Sequence, residues 1–191
     1  MKTFNPQSTG IEVVEELKQF VNSKTILVTS ASVNGLGAET ALSLAHASPS
    51  HILLHGRIAL KIEPVIAEIN KLNPNIKTTF IQADFSSLTA VREAAKFANE
   101  RLEKLDLLIN NAGIMAIKEY TLTADGIESQ LGRNHVAHFL LTNLLMPKIL
   151  AAGNGARIVN VSSDGYLVSR LVWQIWVEPM QYLKSTLFSC S

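Results

Sequence analysis

The sequence predicts an α/β protein built on a doubly wound parallel sheet of about five strands. Three observations carry this. Short apolar runs too compact for helices recur along the chain, helical stretches separate them, and a polar or glycine-bearing cluster follows each run. Strands joined through helices need right-handed crossovers, which here give the order 3-2-1-4-5 and put every cluster at a strand's carboxyl end, where ligands bind in open α/β sheets. With 47% hydrophobic residues in 191 and a slightly positive mean hydropathy, the chain suits one domain whose sheet is buried on both faces.

The elements follow in order. A first helix over 11–21 carries Val14, Leu17 and Phe20 at helical spacing and is expected to cover an edge of the sheet. The alternation then runs strand 25–30, helix 36–47, strand 51–55, helix 59–72, strand 76–83, helix 87–104, strand 105–110, helix 124–150 and strand 156–162. The first strand, Thr25-Ile26-Leu27-Val28-Thr29, is short and rich in β-branched residues. The helix over 124–150 shows a broad apolar face with His138, Phe139, Leu141, Leu144 and Leu145. There is no repeat, linker or low-complexity segment.

Composition excludes several classes of function. A net charge of +1 with no basic run argues against nucleic acid or an acidic membrane as a partner. Cys190 is the only cysteine, so no internal disulfide forms. The start MKTFNPQSTG lacks the basic-then-apolar order of a secretion signal, and no apolar stretch is long enough to span a bilayer. A cytoplasmic protein is expected. His135 with His138, and His51 with His55, have no cysteine or carboxylate to complete a metal set and read as structural. Ser163 is not in a GxSxG elbow, which sets hydrolysis aside.

The turn after the first strand is the most informative feature. In TSASVNGLG, Gly35 and Gly37 allow close backbone approach, and the helix beginning at Leu36 points its positive end at the same place. A phosphate can sit there without a basic side chain. Further clusters follow the later strands: Gly56-Arg57, Asp84, Asn110-Asn111-Ala112-Gly113 and Ser162-Ser163. At the end of the second strand a carboxylate would bond a ribose 2′-hydroxyl, whereas the Arg57 guanidinium favours a 2′-phosphate, hence NADP over NAD. Arg57 otherwise caps the surface at the head of the next helix. Asp84 reads equally as the cap of a turn into the helix near Ser87, and Asn111 to Gly113 as a plain turn.

Over residues 20–168 these motifs resemble the short-chain dehydrogenase/reductases, in particular their fungal retinol-dehydrogenase-like branch. The TGxxxGxG turn appears as Thr29-Ser30 with Gly35 and Gly37, the adenine-contacting acid as Asp84, NNAG as Asn110 to Gly113, the helix asparagine as Asn134 and the catalytic-set serine as Ser163. The resemblance implies a Rossmann-type fold, incomplete relative to the full family fold, and hydride transfer between NADP(H) and a small alcohol or carbonyl compound. It implies cofactor contacts for Thr29, Ser30, Gly35, Leu36, Gly37, Arg57, Asp84, Asn111, Ala112 and Gly113. Ser163 would orient the substrate carbonyl, and Asn134 would position water near the lysine; their alternatives are a strand-end hydroxyl and a helix-kink asparagine. No metal is implied.

Two departures bear on the cofactor turn. Ser30 stands where the family usually has glycine, and four residues rather than three separate it from Gly35. If Ser30 needs a positive φ, the substitution costs on the order of 1 kcal/mol.

A third departure concerns catalysis. The family's YxxxK places tyrosine and lysine on one helix face, where lysine holds the ribose and lowers the tyrosine pKa. It is absent here. Tyr182 and Lys184 are two apart, about 200° round a helix. Tyr166 and Arg170 have the spacing but arginine in place of lysine's point charge. Beyond Arg170 the likeness fades into a tail with an apolar cluster at Trp173, Ile175, Trp176 and Val177. The expected organisation is therefore an N-terminal extension over 1–24, a dinucleotide-binding domain over 25–168 and a divergent, truncated C-terminal tail over 169–191. The face on helix 124–150, lacking the family's catalytic helix, is expected to promote self-association or pairing with a complete relative.

Overall fold

A computed structural model describes residues 3–163. Tyr166, Arg170, Tyr182, Lys184, Cys190 and the tail's aromatic cluster lie outside the described residues. The chain divides into Met1–Asn160 and Val161–Ser191; Ser163 falls in the second unit, and the geometry below is that of the first.

The sheet is parallel, five-stranded and ordered β3-β2-β1-β4-β5, as the alternation requires. Its strands are β1 (Thr25–Val28), β2 (His51–Gly56), β3 (Lys77–Gln82), β4 (Leu107–Asn110) and β5 (Arg157–Asn160). Ile26 of central β1 pairs with Ile52 on one side and Leu107 on the other. Successive side chains alternate between two cores. Ile26, Val28, Ile52 and Leu54 pack under α3 (Leu36–Ala45) and α4 (Glu63–Leu72). Leu27, Leu53, Ile81 and Leu108 pack under α5 (Leu88–Arg101) and α7 (Ala137–Ala151). Covered on both faces and flanked on both sides, β1 is buried at every position.

Four expectations are corrected. The first helix breaks into α1 (Gly10–Glu16) and α2 (Lys18–Val21). It starts in a capping box in which Thr9 Oγ1 accepts from Glu12 N–H and the Glu12 carboxylate accepts from Thr9 N–H. It packs on α3 rather than a sheet edge: Val14 joins the core, a Cβ on Gly10 would meet the Ser43 side chain, and Phe20 stays 61% exposed.

The helix over 124–150 is not continuous. A single turn α6 (Ser129–Leu131) leads through a π-helical segment, Gly132–Val136, into α7, and it starts late because the Glu128 carboxylate caps Gln130 and Leu131 N–H. Its apolar face is largely covered. His138, Leu141 and Leu145 are buried, Leu144 packs against the core, and α5 lies alongside; Phe139 alone of the five is exposed, at 64%. Among the described residues no helix is long and apolar enough to cross a membrane, and no group of three or more His, Cys, Asp or Glu could hold a metal ion.

Candidate cofactor site at the carboxyl ends of the strands

The site is built from side chains that lock the strand ends together. Thr29, just past β1, is fully buried. Its hydroxyl accepts from the N–H groups of Asn111 and Ala112, both at 2.8 Å, and lies 3.0 Å from His138 Nε2. His138 Nδ1 faces the Asn134 carbonyl at 3.0 Å. Since that oxygen can only accept, Nδ1 carries the ring proton and Nε2 takes the Thr29 O–H. The Asn111 amide then donates to the carbonyls of Thr29 (2.9 Å) and Ser30 (3.3 Å). The NNAG segment is thus bolted to the end of β1 through Thr29 and the Asn111 side chain.

Ser30 has φ +57°, the left-handed region, so the strain anticipated from sequence is present, at about 1 kcal/mol for a non-glycine residue. Its N–H donates to His55 Nδ1 at 3.2 Å, and His55 Nε2 lies 3.1 Å from the Ala83 carbonyl; the same inventory makes Nδ1 the acceptor and Nε2 the protonated nitrogen. His55 stacks on Phe85 with centroids 4.2 Å apart, and Phe85 meets the edge of His138 at 5.1 Å.

Beyond the turn, α3 begins at Leu36 after Gly35, which has no side chain to cap it, so the first amides of the helix take no side-chain acceptor. Gly37 shows why that helix sits so close: an added Cβ would come 2.4 Å from the Ser30 carbonyl oxygen and 2.6 Å from Asn111 Nδ2. Leu36 beside it is 74% exposed.

A cleft opens over these locks. It is lined by Ser30 and Ser32 from the turn; His55 and Gly56 from β2 and Arg57 just after it; Asp84 and Phe85 after β3; Ala112, Gly113 and Ile114 after β4; and Arg133 from the π-helical segment. Asp84 does what its capping reading says, accepting from Ser86 N–H at 2.8 Å, while its other oxygen lies 3.8 Å from the half-exposed Arg57 guanidinium. Burial alone would raise its pKa; the bonds from Ser86 and the nearby Arg133 and Arg57 outweigh it and hold the carboxyl below its usual range. Two cations and one carboxylate are the charged groups of the cleft lining. The Nε of Arg133 is buried without an acceptor. Asn134 uses both ends of its amide on Ile114, accepting from its N–H at 2.9 Å and donating to its carbonyl at 2.8 Å, which matches the kink reading at the π-helical segment. A roomier groove between α3 and α4 reaches Gly35 and Leu36 at the helix start and has Glu39 and Glu68 as its charged groups.

Sequence reasoning missed His55, Phe85, His138 and Arg133 as parts of this site. A polar residue inside a strand otherwise wholly buried was the available signal for His55; Arg133 gave none, because only the fold brings it beside Asp84.

The buried imidazoles set the acid sensitivity of the fold. Burial lowers His55 to about 4, and His51 to about 4 with help from Lys77, and lowers His138. The unfolded chain takes up these protons near pH 6.5, while in the native chain His51 and His55 resist until about 4 and His138 is lowered in the same direction. The unfolded state therefore binds more protons across that window, and stability falls as pH drops through it. His55 alone contributes on the order of 3 kcal/mol to that loss. Urea midpoints at pH 7.5, 6 and 5 should decrease in that order, and a midpoint independent of pH would contradict neutral histidines. Asp84 does not offset this, since its contribution is lost only below the ordinary carboxylate range.

An uncapped helix end, a glycine-packed turn and a cationic cleft lie together at the carboxyl ends of the strands of an α/β sheet. Comparison supplies the family: residues 24–175 match the short chain dehydrogenases, and the chain belongs to them. It is 32% identical over 169 residues to oxidoreductase fscI of Fusarium equiseti, covering 87% of this chain and 66% of that one. It is 39% identical over 154 residues to human retinol dehydrogenase 13 (81% and 45%), and 36% over 168 residues to the short-chain dehydrogenase/reductase prx1 of Penicillium roqueforti (86% and 48%). Among solved structures, the Pseudomonas aeruginosa RhlG/NADP active-site complex superposes with TM-score 0.62 at 26% identity, covering 74% of this chain and 55% of that one. Oxidoreductase yciK from E. coli reaches TM-score 0.66 at 24% identity (80% and 63%), a likeness of fold. The chain spans roughly half to two thirds of the length of these relatives.

Proposed function

We propose that this chain is the cofactor-binding part of an NADP-dependent oxidoreductase acting on a small alcohol or carbonyl compound in the cytoplasm. The observation that carries the reading is the charge of the cleft: Arg57 at the end of β2 and Arg133 opposite leave one net positive charge over Asp84, and a 2′-phosphate supplies the matching anion. The NADP named for the RhlG complex supports the same choice. In this reading the α3 N-terminus and the turn from Ser30 to Gly37 receive the pyrophosphate. Ala112 and Gly113 give the flat rings a surface without side chains. Thr29, Asn111 and Asn134 hold these parts in place. When bound, the cofactor would donate hydride to a carbonyl compound in its reduced form or accept it from an alcohol in its oxidised form.

Arg57→Gln is expected to weaken NADPH binding about tenfold to a hundredfold, the worth of a bond to a charged group, with NADH changed little. Fluorescence titration of both cofactors reads this; equal losses would assign Arg57 a surface role only.

A second reading has its own observation. None of the three tyrosines is followed four residues later by lysine, so a nucleotide-binding partner without turnover, pairing with a complete relative, fits the same cleft. Saturable binding without reduction of simple aldehydes or ketones would favour it.

A further inference from the structure

We propose that His55 is a positioning residue for the cofactor turn, holding Ser30 in the left-handed conformation that a glycine usually supplies there. The inference rests on the reading of the cleft as a dinucleotide site, and it deepens that reading by explaining how the turn tolerates its serine.

Ser30 is gripped from both neighbouring strands. Its N–H donates to the His55 ring at the end of β2, and its carbonyl accepts from the Asn111 amide after β4. The next residue is held by the same histidine, since Ala31 N–H donates to the His55 carbonyl at 2.9 Å. One residue of β2 therefore receives two successive turn amides, one on its ring and one on its backbone. The ring cannot swing away to oblige another partner. It is 4% exposed, its Nε2–H is spent on the Ala83 carbonyl, and Phe85 stacks on its face. Only the neutral ring serves, because a proton on Nδ1 would oppose the Ser30 N–H. The titratable groups facing it are Asp84 and His138, of which Asp84 favours and His138 disfavours the charged ring.

An apolar residue would fill this strand position at lower desolvation cost, so the ring's presence is accounted for by the amide it satisfies. That amide belongs to a residue whose side chain makes its backbone conformation unfavourable. Glycine at position 30 takes the same conformation without constraint, which makes the two positions energetically coupled.

The test is a double-mutant cycle on the full chain, using His55→Leu, Ser30→Gly and the combination, with circular dichroism to show that each variant is folded. His55→Leu is expected to weaken NADPH binding about tenfold in the native background and less than about threefold beside Ser30→Gly. His55→Gln, which keeps an acceptor, should recover part of the loss. Independently of any cofactor, the Ser30 amide should exchange with solvent at least about ten times faster in His55→Leu than in the native chain, as read by NMR. Equal losses in both backgrounds, or an unchanged Ser30 exchange rate, would overturn the proposal. If the native chain binds neither NADPH nor NADH the cofactor reading fails, and the exchange rate still decides whether His55 holds the turn.

Discussion

Replacing Gly37 with valine is expected to abolish measurable cofactor binding and to destabilise the fold by about 3 kcal/mol, the upper end of the cost of overpacking. The position lies in the first turn of α3, where a side chain ordinarily points to open space. Here the helix start lies against the end of β1, and a Cβ would meet the Ser30 carbonyl oxygen at 2.4 Å, its carbon at 3.0 Å and Asn111 Nδ2 at 2.6 Å. Two of these are backbone atoms and the third is already bonded to the Thr29 and Ser30 carbonyls, so nothing yields cheaply. The helix must back away, carrying its free amides from the position proposed for the pyrophosphate. Alanine, with better helix propensity than glycine by about 1 kcal/mol in a helix interior, should recover some stability and no binding, since its Cβ meets the same atoms. Urea unfolding with NADPH titration separates the two effects. Native-like affinity in the valine variant would show that the helix is not required at this distance.

Thr29→Val is the second large effect, expected at about 2–4 kcal/mol from a buried imidazole nitrogen left without its partner at about 1–3 kcal/mol and a half-buried amide at about 1 kcal/mol. Valine has nearly the shape of threonine, so the loss isolates the hydroxyl. Ala112 N–H loses its acceptor, and His138 Nε2 loses its donor. Asn111 N–H is less affected because it also reaches the Ile109 carbonyl at 3.1 Å. Cofactor affinity should fall with stability, since Ala112 and Gly113 are released from the end of β1. Thr29→Ser keeps the hydroxyl and should cost only about 1 kcal/mol for the lost methyl group. If valine and serine behaved alike, packing rather than the hydroxyl would be what matters at this site.

Much of this site was legible in the sequence because parallel sheets obey few rules. Buried strands such as Ile52-Leu53-Leu54 cannot be mistaken for solvated loops, and their spacing by helices dictates the order and hence which loops meet. Gly35, Gly37, Arg57, Asp84 and the NNAG segment all lie at the end of the sheet where the alternation places them. The rest depended on register and packing. The sequence marks Thr29 as the end of the first strand and, by resemblance, as a cofactor contact, whereas only pairing with β4 shows its hydroxyl holding two amides. The asparagine that matches the family's helix motif sits in a π-helical turn because its amide is committed to Ile114, twenty residues earlier; no local propensity encodes that contact. The unpartnered face expected on the long helix is mostly covered by α5, since periodicity tells which residues are apolar and not what lies across from them.

The cleft between Arg57 and Arg133 is proposed to take a phosphorylated nicotinamide dinucleotide. Titrating the purified full chain with NADPH and with NADH, following cofactor fluorescence, tests it most directly. Saturable binding with NADPH favoured by about tenfold or more is the expected result; no binding by either cofactor, or a preference for NADH, would contradict it.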